Sequence, residues 1–553
     1  MKSNYIYKVL FMSALAVVSL ASCNDYLDKL PDDRAELNTI EKVKSLLVSA
    51  YPAGSTNLIM EVSSDNVTDN GYSYNTSVLM EQLYNFEDVK EEGTDSPQHI
   101  WNAFYSAIGV CNQALAALDQ LGAGNTPERA EALMCRAYSM FTLANTFCMS
   151  WNPDMADKYL GLPYPTKPQT TIHENYVRGT LRQLYANIDK DIEAALPYIS
   201  DNYVTPKYHF TRKAAYAIAA RFNLFYMKYD KAIQYANEVL GSDPASVMRD
   251  YAPYMALGRV DIGNRWIQTS EAGNILLMTA YSVAGRNVSG GGSPRFHHNQ
   301  IICAYETFWP RGPWGSGSSD NTLYYSHMVY GSTMAVAFPK MEDQFEYTDK
   351  ASGIGYPHIV DVICTGDETV LTRAEAYALR NKAGDQDLCL ADLQTWINNH
   401  CAEVYEHIDE KTGEKSYTNR PILTHDMNNN FWNGLEYAPA VLEGNRDRSI
   451  RKKFNPQGFT IEKVENGKTP DNKFEPSQQE NLLQMVLHLR RMERLLQGDR
   501  FIYLKRYGIE FSHMLAGHDP LKFKAGDLRG AIQLPQDVIH AGLEANPRET
   551  STK

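Results

Sequence analysis

From about residue 40 to residue 250 the apolar positions recur three and four apart, the spacing that sets them along one stripe of an α-helix. Ser96 followed by Pro97 opens one such helix, since Ser caps the first turn and Pro fits it without needing a donor. Trp101, Phe104, Tyr105, Ile108, Cys111 and Leu115 form its inward stripe. Thr126 and Pro127 repeat the device ahead of Leu133, Ala137, Met140, Phe141, Ala144 and Cys148. A third helix runs through Leu181, Leu184, Ile188, Ile192 and Leu196 to Pro197, and a fourth through Ala215, Ile218, Ala219, Phe222, Phe225 and Tyr226. The next, through Tyr229, Ala232, Ile233, Ala236, Val239 and Leu240, ends at Gly241 with Pro244 just beyond. Alanines on both members of this last pair permit close approach, and the helix, short turn, helix layout with a terminal Pro resembles a tetratricopeptide unit. Thr372 to Asn398, with Ala374, Ala376, Tyr377, Ala378, Leu393, Trp396 and Ile397, has the same layout far down the chain. Stacked pairs of this kind bury a continuous core and make a stiff frame.

Elsewhere the pattern changes. Residues 251 to 365 are rich in Gly, Ser, Tyr, Trp and Pro, with short apolar runs such as Ile275-Leu276-Leu277-Met278, which reads as loop with some strand. The stretch from 402 to 475 is also irregular, and Ser477 with Glu480 then forms a capping box opening a helix through Leu482, Met485, Val486, Leu489, Met492 and Leu496, closed by Gly498. The expected fold is mostly α: a tetratricopeptide-like helical-pair scaffold with a long irregular lobe of loops and short strands inserted. Its expected divisions are a lipoprotein signal peptide (1–22), a lipidated tether (23–40), an N-terminal helical scaffold (41–250), an irregular ligand-binding lobe (251–365), a further helical pair (366–400), an irregular insertion (401–475) and a C-terminal helix and tail packing on the scaffold (476–553).

The first two divisions rest on the amino end. Lys2 and Lys8 precede an apolar run from Val9 through Leu20 and the small-residue box Leu20-Ala21-Ser22-Cys23. The run is short of the roughly 20 residues a spanning helix needs, so it reads as a secretion signal, with Cys23 as the residue that takes lipid. A multiply acylated Cys23 would hold the chain at a membrane permanently. The acid-rich segment after it reads as a solvated leash, in which Asp25 and Asp28 suit either a surface-sorting signal or a plain hydrophilic linker. The 53 basic residues stand against 66 acidic ones, a net charge of −13, which disfavours nucleic acid and anionic lipid as partners. Of the eight cysteines, those other than Cys23 form no close pairs, and Cys111, Cys135 and Cys148 fall in helical stripes. Neither a disulfide framework nor a zinc site is indicated.

Several segments, in this order, resemble one family. They are "CNDYLDKLP", "WNAFYSAIGVCNQAL", "RAYSMFTLANTF", "GLPYPTKP", "YANIDKDIEAALP", "TRKAAYAIAARFNLFYMKYDKAIQYANEVL", "LTRAEAYAL", "RRMERLLQGDRFIYLKRYG" and "AIQLPQDVIHAGLEANP". Together they resemble the SusD/RagB nutrient-binding lipoproteins of Bacteroidetes outer membranes. One position departs: Gln497 stands where the family usually has an acid, and Arg491, Glu493 and Arg500 read as a structural ion-pair network. The resemblance implies a lipid-anchored protein of the outer membrane, facing the exterior, that captures a glycan and delivers it to a SusC-like TonB-dependent transporter. It implies no cofactor, no metal and no nucleic acid.

A glycan site needs flat rings for the C–H faces of pyranoses and polar groups for their hydroxyls. Two loops have that composition. The first offers Asp65, Asn70, Tyr72 and Tyr74, with Asn70-Gly71 marking a turn that exposes both tyrosines. The second sets Trp309, Arg311 and Trp314 among prolines and glycines, where no helical stripe accounts for them, though either tryptophan could plug a junction with the scaffold. Trp266 is a further candidate, whereas Trp101 and Trp396 lie in helical stripes and read as core. Enzyme readings find no support: no paired carboxylates at a recognisable separation, no GxSxG elbow and no phosphate-cradling loop. His297 and His298 lack an HExxH-type partner, and Asp65 to Asn70 lacks the remaining positions of a calcium loop. The competing readings are a helical-repeat adaptor of the envelope and the same transporter role with peptide cargo.

Overall fold

The computed structural model describes residues 36–169, 176–289, 294–315, 322–409, 411–438, 449–465 and 474–548. The signal segment, Cys23 and the tether as far as residue 35 lie outside the described residues. The chain is mostly α, with small sheets of two or three strands. Thr39, Ser96, Thr126, Thr180, Thr211, Thr365 and Ser477 each accept the backbone N–H three residues on, opening seven helices. Each such cap is worth about 1 kcal/mol.

The scaffold builds outward pair by pair. Helices Pro97–Gln120 and Pro127–Phe147 pack together, and Leu181–Ala195 packs on the second. Arg212–Phe225 lies beside Tyr229–Leu240, with Ala215, Ala219, Ala232 and Ala236 fully buried. Tyr229–Leu240 in turn rests on Gly366–Arg380, whose neighbour is Asp385–His400. The two pairs read from the sequence are therefore stacked directly, and the chain between them loops out and returns. Asn381 closes the first helix of the second pair in the left-handed region, at φ 50, which Asn tolerates. Arg380 and Asp385 clamp the turn with Nε–Oδ2 and Nη2–Oδ1 contacts of 2.9 and 2.6 Å.

Helix Gln478–Glu493 packs on both members of that second pair and is buried at every position after Gln478. Its apolar stripe predicts one buried face only. The polar faces are buried as well because each finds a partner: Arg490 Nη2 lies 3.0 Å from Glu375, and Asn481 Nδ2 donates to Asn429 Oδ1 at 3.0 Å. The capping box expected at its start is half formed. Ser477 Oγ accepts from Glu480 N, but the Glu480 carboxylate is spent on the Tyr437 hydroxyl. The reciprocal box stands instead at Thr180 and Gln183.

The apolar run at 275–278 lies in strand Asn274–Tyr281, which pairs antiparallel with Ile354–Thr365; Gln344–Asp349 is the third strand, on the far side. Among the described residues no helix is long and apolar enough to cross a membrane.

Candidate ligand-binding site

The first of the two loops singled out by composition is paired with a segment that precedes the second. Thr68–Asp69 pairs antiparallel with Phe296–His297, so a strip of sheet joins segments far apart in the chain. Asn70 locks the junction, its N–H donating to Arg295 O at 2.8 Å and its Nδ2 to Pro294 O and Met334 O at 3.2 and 2.7 Å. Its Oδ1 accepts from Asn299 at 3.3 Å. The Asn70 side chain is thus a latch between loops rather than a free hydroxyl partner, which corrects its reading as a ligand contact. Gly71 follows at φ 105, a conformation L side chains rarely adopt, with its N–H on Asp69 Oδ1 at 2.8 Å. The turn closes with Tyr74 N donating to Gly71 O, leaving Tyr72 65% exposed and Tyr74 half-buried.

Asp65 also departs from expectation. Both its oxygens accept from Arg500, at 2.7 and 2.8 Å, and Arg491 and Lys452 lie within 3.5 and 3.8 Å. Burial opposes its charge, but the guanidinium groups of Arg491 and Arg500 overcome this and hold the carboxyl well below the usual range. It anchors the loop to the scaffold and is not available to a sugar. Arg491 also binds Glu306 at 3.0 Å, whereas Glu493 faces His400 and Tyr325, so the cluster read from the sequence divides into two networks.

Beneath Tyr72 runs a column of stacked groups. Phe86 lies on His513 at 4.5 Å, His513 on Tyr84 at 4.0 Å, and Tyr84 on Phe296 at 4.4 Å, with interplanar angles of 10°, 4° and 23°. The Arg295 guanidinium continues it, 4.8 Å from the Phe296 centroid and 4.0 Å from that of Tyr72. Arg295 is fixed by a two-pronged contact with Asp69, both distances 2.8 Å, and by Glu81 at 3.0 Å. The hydrogen bonds to Asp69 also raise its pKa, so it stays charged. A cation on one face of a tyrosine is worth about 0.5–1 kcal/mol at exposed sites; the larger consequence is a ring whose orientation is set before any ligand arrives. Arg295, Tyr84, Phe296 and His513 were missed in the sequence because each belongs to the column only through contacts distant along the chain.

The second loop behaves differently. Trp309 is half-buried, Arg311 exposed, and Tyr305 on the preceding helix Gln300–Glu306 is 48% exposed. Trp314, expected on the surface, is fully buried against His488 at 4.0 Å and Phe431 at 5.2 Å. Paired backbone hydrogen bonds between Gly312 and Gly315 turn the chain inward, and a Cβ on Gly312 would strike the Trp314 ring at 2.3 Å. Glycine and proline served here to return a large ring to the core. Trp266 is likewise buried, with the Arg249 guanidinium 3.8 Å above it and Tyr251, Tyr254 and Phe338 around it. Neither tryptophan can reach a ligand.

His297 and His298 are both buried; His298 Nδ1 lies 2.8 Å from Asn66 O and Nε2 3.1 Å from Thr307 Oγ1. Asp367, His400 and Glu493 bring their ligand atoms within 4.8 Å of one another. Lys340 Nζ, however, donates to Met492 O at 3.2 Å, Arg249 N to Asp367 at 3.2 Å, and His400 Nε2 lies 3.0 Å from Glu493. The trio is thus a buried polar knot whose acids are hydrogen-bonded to groups of the protein, Asp367 to the Arg249 backbone and Glu493 to His400 and Tyr325.

Residues 25–224 match a SusD-like family described as starch-binding and associating with the outer membrane. None of the curated proteins matches the chain. Solved structures share its fold. A SusD superfamily protein from Bacteroides thetaiotaomicron is 17% identical, with 92% of this chain and 100% of the other covered at a TM-score of 0.58. A putative sugar binding protein from Bacteroides vulgatus is 15% identical, covering 93% and 99% at 0.58. A laminarin binding SusD-like protein is 14% identical, covering 92% and 99% at 0.50.

Proposed function

We propose that this chain, whose residues 25–224 match a SusD-like family, captures a glycan and passes it to a TonB-dependent, SusC-like transporter of the outer membrane, performing no chemistry on its cargo. The observation that carries this reading is Tyr72: a ring 65% exposed, backed on one face by Arg295 and open on the other. Stacking a pyranose on a fixed ring avoids the cost of ordering a mobile side chain on binding. Trp309, Arg311 and Tyr74 complete the proposed contact set, with Tyr305 added. Association with laminarin and sugar among proteins of the same fold supports the ligand class. The proposed site draws on residues 72–74 as well as the 251–365 lobe, so ligand would sit across the division between lobe and scaffold. Cys23 is the proposed lipid attachment, with residues 23–40 as the tether that leaves the protein on the cell exterior.

Calorimetry and affinity electrophoresis against a panel of polysaccharides and oligosaccharides test the ligand class. Binding of at least one glycan is expected, weakened about tenfold by Tyr72→Ala, as losing one stacked aromatic contact implies. Binding of peptides with no glycan bound would overturn it. Cys23→Ala should release the chain from isolated membranes.

A further inference from the structure

Away from the Tyr72 site, the end of the three-stranded sheet gathers large exposed side chains: Phe345 39%, Tyr347 52%, Ile354 58%, Tyr356 57% and Tyr281 40% exposed. Large apolar side chains left exposed so close together point to contact with another molecule. The register divides them. Phe345 and Tyr347 sit opposite Pro357 and Gly355 on one face, while Tyr356 shares the other face with Glu346 and with Tyr281, which pairs with His358. Between the faces runs the open edge. Strand Gln344–Asp349 pairs with Ile354–Thr365 on one side, and among the described residues no strand pairs with it on the other.

Soluble proteins usually blunt such an edge with Lys, Pro, a short strand or a covering element. This one is six residues long, QFEYTD, with strong β-formers and neither Lys nor Pro. Its charges are Glu346 and Asp349. Asp349 is held in its anionic form, its pKa lowered by hydrogen bonds from Ser352 and Ala351 in the adjoining turn.

We propose that this edge receives an extended, basic segment of a partner polypeptide as a fourth strand. Its backbone would complete the unpaired edge, its apolar side chains would pack on the rings of either face, and its Lys or Arg residues would meet Glu346 and Asp349. Two other occupants fit less well. A second copy pairing antiparallel with the same edge would bring Glu346 near Glu346, a like-charge contact that destabilises a sheet. A glycan chain stacked along both rings of a face would need them coplanar, yet Tyr281 and Tyr356 cross at 71° with centroids 5.8 Å apart, and Phe345 and Tyr347 at 67° and 4.8 Å.

The test mixes the full chain with a fluorescent eight-residue peptide of alternating Val and Lys, its Val and Glu counterpart, and the Val and Lys peptide N-methylated at alternate amides, which removes one hydrogen-bonding edge without changing charge. Saturable binding of the first alone is expected, with slowed amide hydrogen exchange at residues 344–349. The double variant Glu346→Lys, Asp349→Lys should weaken it roughly tenfold or more at unchanged thermal unfolding, and should turn preference toward the Glu peptide. Binding indifferent to N-methylation, or protection elsewhere on the chain, would overturn strand addition. A dimer by sedimentation that the double variant abolishes would replace the partner with a second copy, and hairpin protection by oligosaccharides would replace it with a sugar.

Discussion

Replacing Arg295 with Ala removes the cation that joins the interior column to Tyr72. The side chain of Arg295 is 8% exposed and that of Asp69 fully buried, so the pair is desolvated. Deleting one member of a buried pair costs about 3–5 kcal/mol, because the other charge is stranded. Asp69 keeps backbone N–H donors from Gly71 and Ala516 at 2.8 and 3.1 Å, which places the expected loss near the lower limit, about 3 kcal/mol. Urea unfolding at pH 7 measures it. The deficit has a pH signature. Burial works against the Asp69 charge, but the hydrogen bonds from Arg295 outweigh it, and the carboxyl pKa lies below its ordinary value. That stability is present above the unfolded carboxylate pKa and fades as pH falls through the folded one. Without Arg295 the carboxyl protonates more readily, so wild type and variant should converge as pH falls below the unfolded carboxylate value of about 3.9. Arg295→Lys keeps the charge but loses the two-pronged grip, and should recover only part of the stability. Glycan affinity, read by calorimetry, should fall in both variants and in Tyr72→Ala, although Tyr72→Ala, at an exposed position, should cost under about 1 kcal/mol of stability. Full glycan affinity in a folded Arg295→Ala protein would refute the claim that the column orients Tyr72; an unchanged unfolding midpoint would refute the buried pair.

The remaining expectations concern single positions. Trp314→Ala should lower stability by about 3–5 kcal/mol, as large core truncations do, whereas half-buried Trp309→Ala should cost clearly less and act on glycan binding; chemical denaturation with calorimetry separates them. Burial, helped by the Arg491 charge nearby, pushes the His298 pKa down to about 3, so the folded protein holds this ring neutral. Its contribution is complete above the unfolded value near 6.5 and is lost as pH falls, by up to about 1.4 kcal/mol per pH unit, hence about 2 kcal/mol by pH 5; His298→Gln should flatten that part of the stability profile, and an unaltered slope would exclude the assignment. Gly71→Ala meets no neighbour within 4 Å, so its cost, about 1–2 kcal/mol, should come from φ alone and should be accompanied by weaker glycan binding as the Tyr72 turn shifts.

Local signals were readable from residue order. Ser96, Thr126 and Ser477 act within a turn of themselves, and an amphipathic stripe reports burial of its own helix, so the helices and caps at these points follow from nearby residues alone. The Asn70-Gly71 turn was legible for the same reason: a positive φ is a property of one residue. Burial of polar or loop residues was not, because it depends on groups far off in sequence. Helix Gln478–Glu493 looks one-sided until Glu375, Asn429 and Asp65 arrive to satisfy its polar faces, and Asp65 looks like a sugar ligand until Arg491 and Arg500 enclose it. Trp314 and Tyr72 both lie in glycine-containing loops, yet one is sunk and the other open, since folding back is decided by whether a cavity of matching shape waits in the scaffold. Chain order carries conformational preference over a few residues; long-range packing and pairing of charge decide which preference ends in the core and which faces solvent.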